Sequence, residues 1–178
     1  YYGYTKLFIE RHLKKKKYFK NIIILRLFNI AGFIKNYDYK EYKSRFRRIM
    51  PKISSSIKNN EIIRIYGKQN KNNFETSIRD YLHIEDFLDL IKILLKNKIK
   101  NKIIDVGSGV PISLSQIIQI FENKSKKKLR YIFEKKRKGE LQYTCCKKNK
   151  INHYLDWNPK KNIYKIIEST LKWDKQNL

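Results

Sequence analysis

Residues 21–29 read "NIIILRLFN", a nearly continuous run of β-branched and other apolar side chains. A strand with one wet face alternates apolar with polar positions. A run without alternation suits a strand covered on both faces, as in a parallel sheet. The preceding segment, "YGYTKLFIERHLKKKK" at 2–17, reads as a helix, because Tyr2, Lys6, Ile9 and Leu13 recur on one helical face. A helix leading into a doubly covered strand is half of a βαβ unit, whose first strand is expected upstream of residue 1. The longest apolar stretch, "IIILRLFNIAGFI", contains Arg26 and Asn29 and is too short to span a bilayer.

Residues 33–60 are polar and irregular, with a short helix expected to break near Pro51. "EIIRIYG" (61–67) reads as a strand ending at Gly67, and "KQNKNNFETS" (68–77) as a loop. "DYLHIEDFLDLIKILLKN" (80–97) is the clearest helix, with Ile84, Phe87, Leu88, Ile91, Leu94 and Leu95 as its apolar stripe. "KIIDVGSG" (102–109) is a second buried strand. "SLSQIIQIFENKS" (113–125) is a helix opened by a Ser113–Gln116 capping box. "LRYIFE" (129–134) is a short strand, and "NIYKIIESTLKWDKQ" (162–176) a closing amphipathic helix. The alternation predicts an α/β fold: one domain, an incomplete doubly wound sheet plus a small lobe.

Charge offers a competing idea. Forty-two Lys and Arg face 16 Asp and Glu, a net charge of +26. Such a balance suits nucleic acid or another acidic partner. The composition, however, is saturated with Lys, Asn, Ile, Tyr and Phe, the residues of A/T-rich codons. The lysines are spread along every loop instead of being grouped among stacking aromatics. No nucleic-acid or membrane partner is therefore expected. The two cysteines, Cys145 and Cys146, are adjacent, and neighbouring cysteines rarely pair. No Cys-x-x-Cys or histidine spacing suggests zinc; His12, His83 and His153 read as ordinary polar residues. With no targeting segment in view, a cytoplasmic location is expected.

Tyr2 and Lys6 stand one helical turn apart and point the same way. A free tyrosine has a pKa of about 10, and a nearby ammonium favours its phenolate. The pair suits general acid/base work, although a Lys-rich helix also produces such spacing by chance.

Other segments bear on the pair. "YYGYTKLFIE", "LRLFNIAG", "TSIRDYLHIEDF", "IDVGSG", "KRKGEL" and "LDWNPKKN" follow one another in an order and spacing similar to that of UDP-glucose 4-epimerases. These are extended short-chain dehydrogenase/reductases of the NAD-dependent epimerase/dehydratase family. The whole chain, 1–178, resembles the C-terminal half of such an enzyme. That implies the C-terminal part of a Rossmann-like doubly wound sheet, with a small α/β substrate-binding lobe.

The resemblance implies roles position by position. Tyr2 matches the catalytic tyrosine that takes the proton of the sugar's 4-hydroxyl. Lys6 matches the lysine that holds the nicotinamide ribose and lowers the tyrosine pKa. Phe28 matches a residue lining the nicotinamide of the NAD cofactor, and Asn29 an asparagine contacting the nucleotide sugar. Arg48 stands where an asparagine usually touches the nucleotide. Tyr66 lies where an aromatic packs near uracil. Arg79 and Arg137 match two arginines gripping the diphosphate, a task suited to a planar cation with several donors. Glu140 stands where an acidic residue binds the uridine ribose. Thr144 falls where residue size sets the room around the sugar, and its smallness implies space for an N-acetylated sugar. The implied substrate is a UDP-sugar and the implied assembly a homodimer through helices, including the one carrying Tyr2 and Lys6.

Some features depart from the pattern. No Gly-x-x-Gly-x-x-Gly turn follows a strand, and "GSGV" at 107–110 is too short to replace it. The family's catalytic Ser or Thr before the tyrosine is also absent. The chain is therefore expected to be a fragment lacking the NAD-binding half, inactive alone. The loop after "NIAG" lacks the usual Gly/Pro-rich acidic stretch, and Lys138 replaces a common acidic residue. A related nucleotide-sugar epimerase or 4,6-dehydratase, a basic nucleic-acid-binding protein and an inactive relic are the alternatives.

Overall fold

The computed structural model describes residues 2–15, 20–34, 48–70, 73–97, 99–136, 138–147 and 155–176. Among them the elements run α1 (Tyr2–Lys15), β1 (Ile23–Leu27), β2 (Asn29–Ala31), α2 (Ile49–Asn59), β3 (Ile62–Asn70), β4 (Asn73–Thr76), β5 (Ile78–His83), α3 (Ile84–Lys96), β6 (Lys102–Val106), β7 (Pro111–Ser113), α4 (Leu114–Ser125), β8 (Arg130–Glu134) and α5 (Ile163–Gln176).

The two apolar runs at 21–29 and 102–109, each read as a strand, pair with one another. β1 pairs parallel with β6, from Ile23 opposite Lys102 to Leu27 opposite Val106. Phe28 N–H then donates to Val106 O (2.9 Å), and the chain passes into β2. β2 runs parallel to β5, and β7 lies antiparallel on the other edge of β5. A third sheet has the order β4-β3-β8. Double cover is only partial: Ile104 and Val106 of β6 are buried, whereas Leu27 of β1 is 47% exposed. The other edge of β1 has no partner strand among the described residues.

Two hydrophobic clusters hold these sheets. Leu82, Leu90, Leu94, Ile104, Val106 and Trp157 join α3 to β5 and β6. Ile53, Ile63, Ile65, Phe121 and Ile166 belong to a second cluster that packs α2, α4 and α5 on β3. This is the α/β architecture with parallel strands that the alternation predicts.

Several elements differ from the sequence reading. Pro51 does not break a helix; it sits in the first turn of α2, where its missing N–H would have no intrahelical acceptor. β3 does not stop at Gly67 but runs to Asn70 and pairs with β4, so 68–77 is mostly a hairpin. A side chain at Gly67 would collide with Glu75 O, so glycine here admits a close neighbouring backbone. Residues 80–83 belong to β5, and the helix begins only at Ile84. The buried stripe of α3 centres on Leu90 and Leu94, while Leu88 and Leu95 are exposed, because the helix turns its face toward β5 and β6. The capping box of α4 is present: Ser113 Oγ accepts from Gln116 N–H, and Ser113 N–H donates to Gln116 Oε1.

Candidate functional site

Strand β5 organises the site. Arg79 points its guanidinium toward the segment 140–144 and is largely covered, at 19% side-chain exposure. Its Nη1 donates to Ile78 O (2.9 Å) and Gln142 O (3.5 Å). Its Nη2 donates to Glu140 Oε1 at 3.2 Å. The segment is fastened to the strand by its backbone too. Ile78 N–H donates to Gln142 O (2.8 Å), and Thr144 N–H donates to Ile78 O (3.0 Å). Gln142 Nε2 reaches Thr76 O (3.0 Å) at the end of β4. On the same edge of β5, the one facing away from β7, Asn29 Nδ2 donates to Asp80 O (2.8 Å). Residues 29, 79, 140 and 144, distant in sequence, are thus gathered around one strand.

Asp80, which sequence reasoning passed over, is fully buried and is a junction. Its Oδ1 accepts from Ser108 N–H (2.8 Å) and Ser108 Oγ (2.6 Å). Its Oδ2 accepts from Gly109 N–H (2.9 Å) and Cys146 N–H (3.0 Å). Neither cysteine is in a disulfide; burial pushes the Cys146 thiol up to about 11, which makes it a poor nucleophile. His83 is a second missed residue. It caps α3, with Nδ1 accepting from Glu85 N–H (3.1 Å). Its buried ring also lies against Gly32, whose left-handed φ of +87° suits glycine.

α1 is anchored to β1 through charge. Arg26 donates to both oxygens of Glu10, at 3.0 and 2.7 Å. That hydrogen bond holds the Glu10 carboxyl below its ordinary range and raises Arg26. Tyr2, Lys6 and Glu10 share a helical face at spacings of four. Lys6 is exposed on α1; the Tyr2 side chain lies outside the described residues. Phe28 is half-buried between β1 and β2. Tyr66 lies on β3 opposite Glu134, next to Gly67, whose ladder partner is Thr76. Arg48 is exposed at the N-cap of α2 and makes no side-chain cap there. Arg137 and His153 lie outside the described residues.

A cavity of about 740 Å³ opens elsewhere, between the loop 107–110, α4 and the segment 157–164. Tyr81, Trp157, Lys160 and Tyr164 are among its walls, and none of the ten candidate residues is. Burial beside it pushes the Tyr81 hydroxyl up to about 12. Asn29, Arg79, Glu140 and Thr144 gather on β5, outside this cavity. Among the described residues, no group of three or more His, Cys, Asp or Glu could hold a metal ion. No helix among them is long and apolar enough to cross a membrane.

Comparison with known proteins adds an independent line. The model of the NAD dependent epimerase/dehydratase family matches residues 1–107. The UDP-glucose 4-epimerase of Bos taurus is 27% identical over 187 residues, covering 99% of this chain and 53% of that protein. The Drosophila melanogaster UDP-glucose 4-epimerase is 28% identical over 186 residues, with the same coverage. The chain spans about half the length of these curated relatives. The crystal structure of the Bifidobacterium longum UDP-glucose 4-epimerase in complex with NAD+ and UDP superimposes with a TM-score of 0.81 at 22% identity, over 99% of this chain and 55% of that one. At that identity the likeness establishes a shared fold.

Proposed function

The chain belongs to the NAD dependent epimerase/dehydratase family, and from that premise we propose that it carries the nucleotide-sugar-binding part of a UDP-hexose 4-epimerase, together with its Tyr–Lys helix. The observation that supports this reading is the gathering of Asn29, Arg79, Glu140 and Thr144 around β5. A guanidinium turned toward the segment 140–144, with a carboxylate beside it, suits a diphosphate next to a ribose.

Tyr2 and Lys6 are proposed to stand at the same end. The connection from α1 to β1 spans only 16–22, which makes helix and strand antiparallel neighbours. From the Glu10–Arg26 contact, the helix rises ~12 Å to Tyr2 and the strand advances ~10 Å to Asn29. Both therefore end at about one level. In this reading Tyr2 takes the proton from the sugar's 4-hydroxyl, and Lys6 favours the phenolate through its charge. Arg79, with Arg137, grips the diphosphate. Glu140 takes the uridine ribose, and Asn29 and Thr144 border the sugar. Tyr66 packs near the uracil, and Arg48 touches the nucleotide.

The residues present fit only one end of NAD. Lys6 and Phe28 suit the nicotinamide ribose and ring. The glycine loop 107–109 offers no pyrophosphate cradle, since the N–H groups of Ser108 and Gly109 are both engaged by Asp80. NAD, when bound, takes and returns the hydride at the sugar's C4.

Two experiments test the reading. Calorimetric titration of the chain with UDP should show binding that Arg79→Gln removes. Joined to an NAD-binding half of the same family and supplied with NAD and UDP-galactose, the chain should yield UDP-glucose on product analysis. A chain that ignores UDP, or a product other than the C4 epimer, would sink the assignment.

A further inference from the structure

We infer that Asp80 is a positioning residue for the nucleotide-sugar site, holding the strap 140–146 against β5 from the side opposite to Arg79; the inference rests on the reading proposed above. Successive residues of a strand point to opposite faces. Arg79 and Asp80 therefore pin the same strap at two places. Arg79 holds it at Glu140 and Gln142. Asp80 holds it at Cys146, through a 3.0 Å bond to the backbone N–H. Thr144 lies between the two pins, with its N–H on Ile78 O.

The two pins differ in what a substrate does to them. The Arg79 guanidinium faces the proposed diphosphate, so a bound nucleotide competes with Glu140 and Gln142 O for its donors. The Asp80 carboxylate is wholly buried and makes no such exchange. Its acceptor contacts reach Ser108, Gly109, Cys145 and Cys146, segments 28 to 66 residues away. A buried carboxylate is costly unless its oxygens are matched by donors, and here each oxygen has at least two. An apolar residue of the same shape would leave three backbone N–H groups unpaired. The close fit is built into the sequence at Gly107, where a Cβ would stand 2.5 Å from Asp80 Oδ2 and 2.6 Å from Cys146 Cβ. The backbone of Asp80 adds a third tie, its carbonyl orienting the Asn29 amide. With Arg79 turned to the nucleotide, Asp80 is the side chain that still holds the far end of the strap, beside the Ile78 backbone bonds and the Gln142 tie to Thr76.

The test uses the 178-residue chain, with UDP affinity measured by calorimetry at a temperature where melting curves show each variant folded. Asp80→Asn puts an amide against N–H donors and is expected to weaken UDP binding by about tenfold. In a Glu140→Ala background the same change is expected to cost about twofold or less, because both act through one strap. A purely structural role would lower the melting temperature and leave that coupling absent. Ser108→Ala keeps the carboxylate and removes the 2.6 Å bond. It is expected to weaken UDP by about threefold and decides the question should Asp80→Asn not fold. Unchanged UDP affinity in the folded Asp80→Asn variant, or full additivity with Glu140→Ala, overturns the inference and leaves the functional reading standing. Absence of UDP binding by the parent chain overturns that reading, and the inference with it.

Discussion

Ser54 Oγ donates to Asp174 Oδ2 across 2.8 Å, and both residues are buried where α2 crosses α5. Lys58 Nζ adds a bond to Asp174 O at 3.1 Å. Removing the Ser54 hydroxyl strips a donor from a carboxylate that water reaches poorly. Ser54→Ala is expected to cost about 1–3 kcal/mol. A lower urea midpoint at unchanged m-value is the measurement.

Arg79 serves Ile78 O, Gln142 O and Glu140 together from one planar group. A lysine ammonium presents a single point of charge and cannot span them. Arg79→Lys is expected to weaken UDP binding by about tenfold and to loosen the strap, seen as faster amide exchange at Thr144. Affinity equal to the parent's would remove Arg79 from the diphosphate role.

Burial lowers the His83 pKa from 6.5, against the opposing pull of Glu85 and Asp86. Its Nδ1 accepts the Glu85 N–H, which leaves the proton of the neutral ring on Nε2, 3.3 Å from Ser169 Oγ. A group with a depressed folded pKa stabilises the fold above its unfolded value and loses that contribution as pH falls through the folded one. Stability is therefore expected to be level above pH 6.5 and to fall as the pH drops below it. In His83→Asn, which retains capping capacity, the slope due to this group should vanish from pH-dependent denaturation curves.

Gly107→Ala places a methyl against Asp80 and Cys146, neither of which has room to move. The overpacking cost is expected to be about 1–3 kcal/mol. Thermal melting reads it directly.

Much of the scaffold was legible because it depends on local pattern. The β1 and β6 runs, the Ser113–Gln116 box and the stripe of α5 each declare themselves within about a dozen residues. β5 was not legible as a strand. "DYLH" precedes a strongly periodic helix, and its extended form comes from β2 and β7 on either side. His83 as a cap was missed because the usual caps are Ser, Thr, Asp and Asn. Gly67 reads as a stop but serves to admit the backbone at Glu75. Arg79, Glu140, Asn29 and Thr144, the residues of the proposed site, were chosen through motif resemblance. Asp80 escaped notice because its importance lies in donors at 108, 109 and 146, which no sequence window contains.

The parallel pairing of β1 with β6 has a consequence for synthesis. Ile22 N–H bonds Asn101 Oδ1 at the foot of that ladder, 79 residues later in the chain. At ribosomal speeds, β1 is made roughly 4–16 s before its partner exists. During that wait "IIILRL" has the character of an aggregation-prone segment. Lysines at 14–17 and at 20 stand immediately before it. Their mutual repulsion between nascent chains opposes association. Charge so placed is suited to keeping nascent chains apart, a task distinct from any in the folded protein.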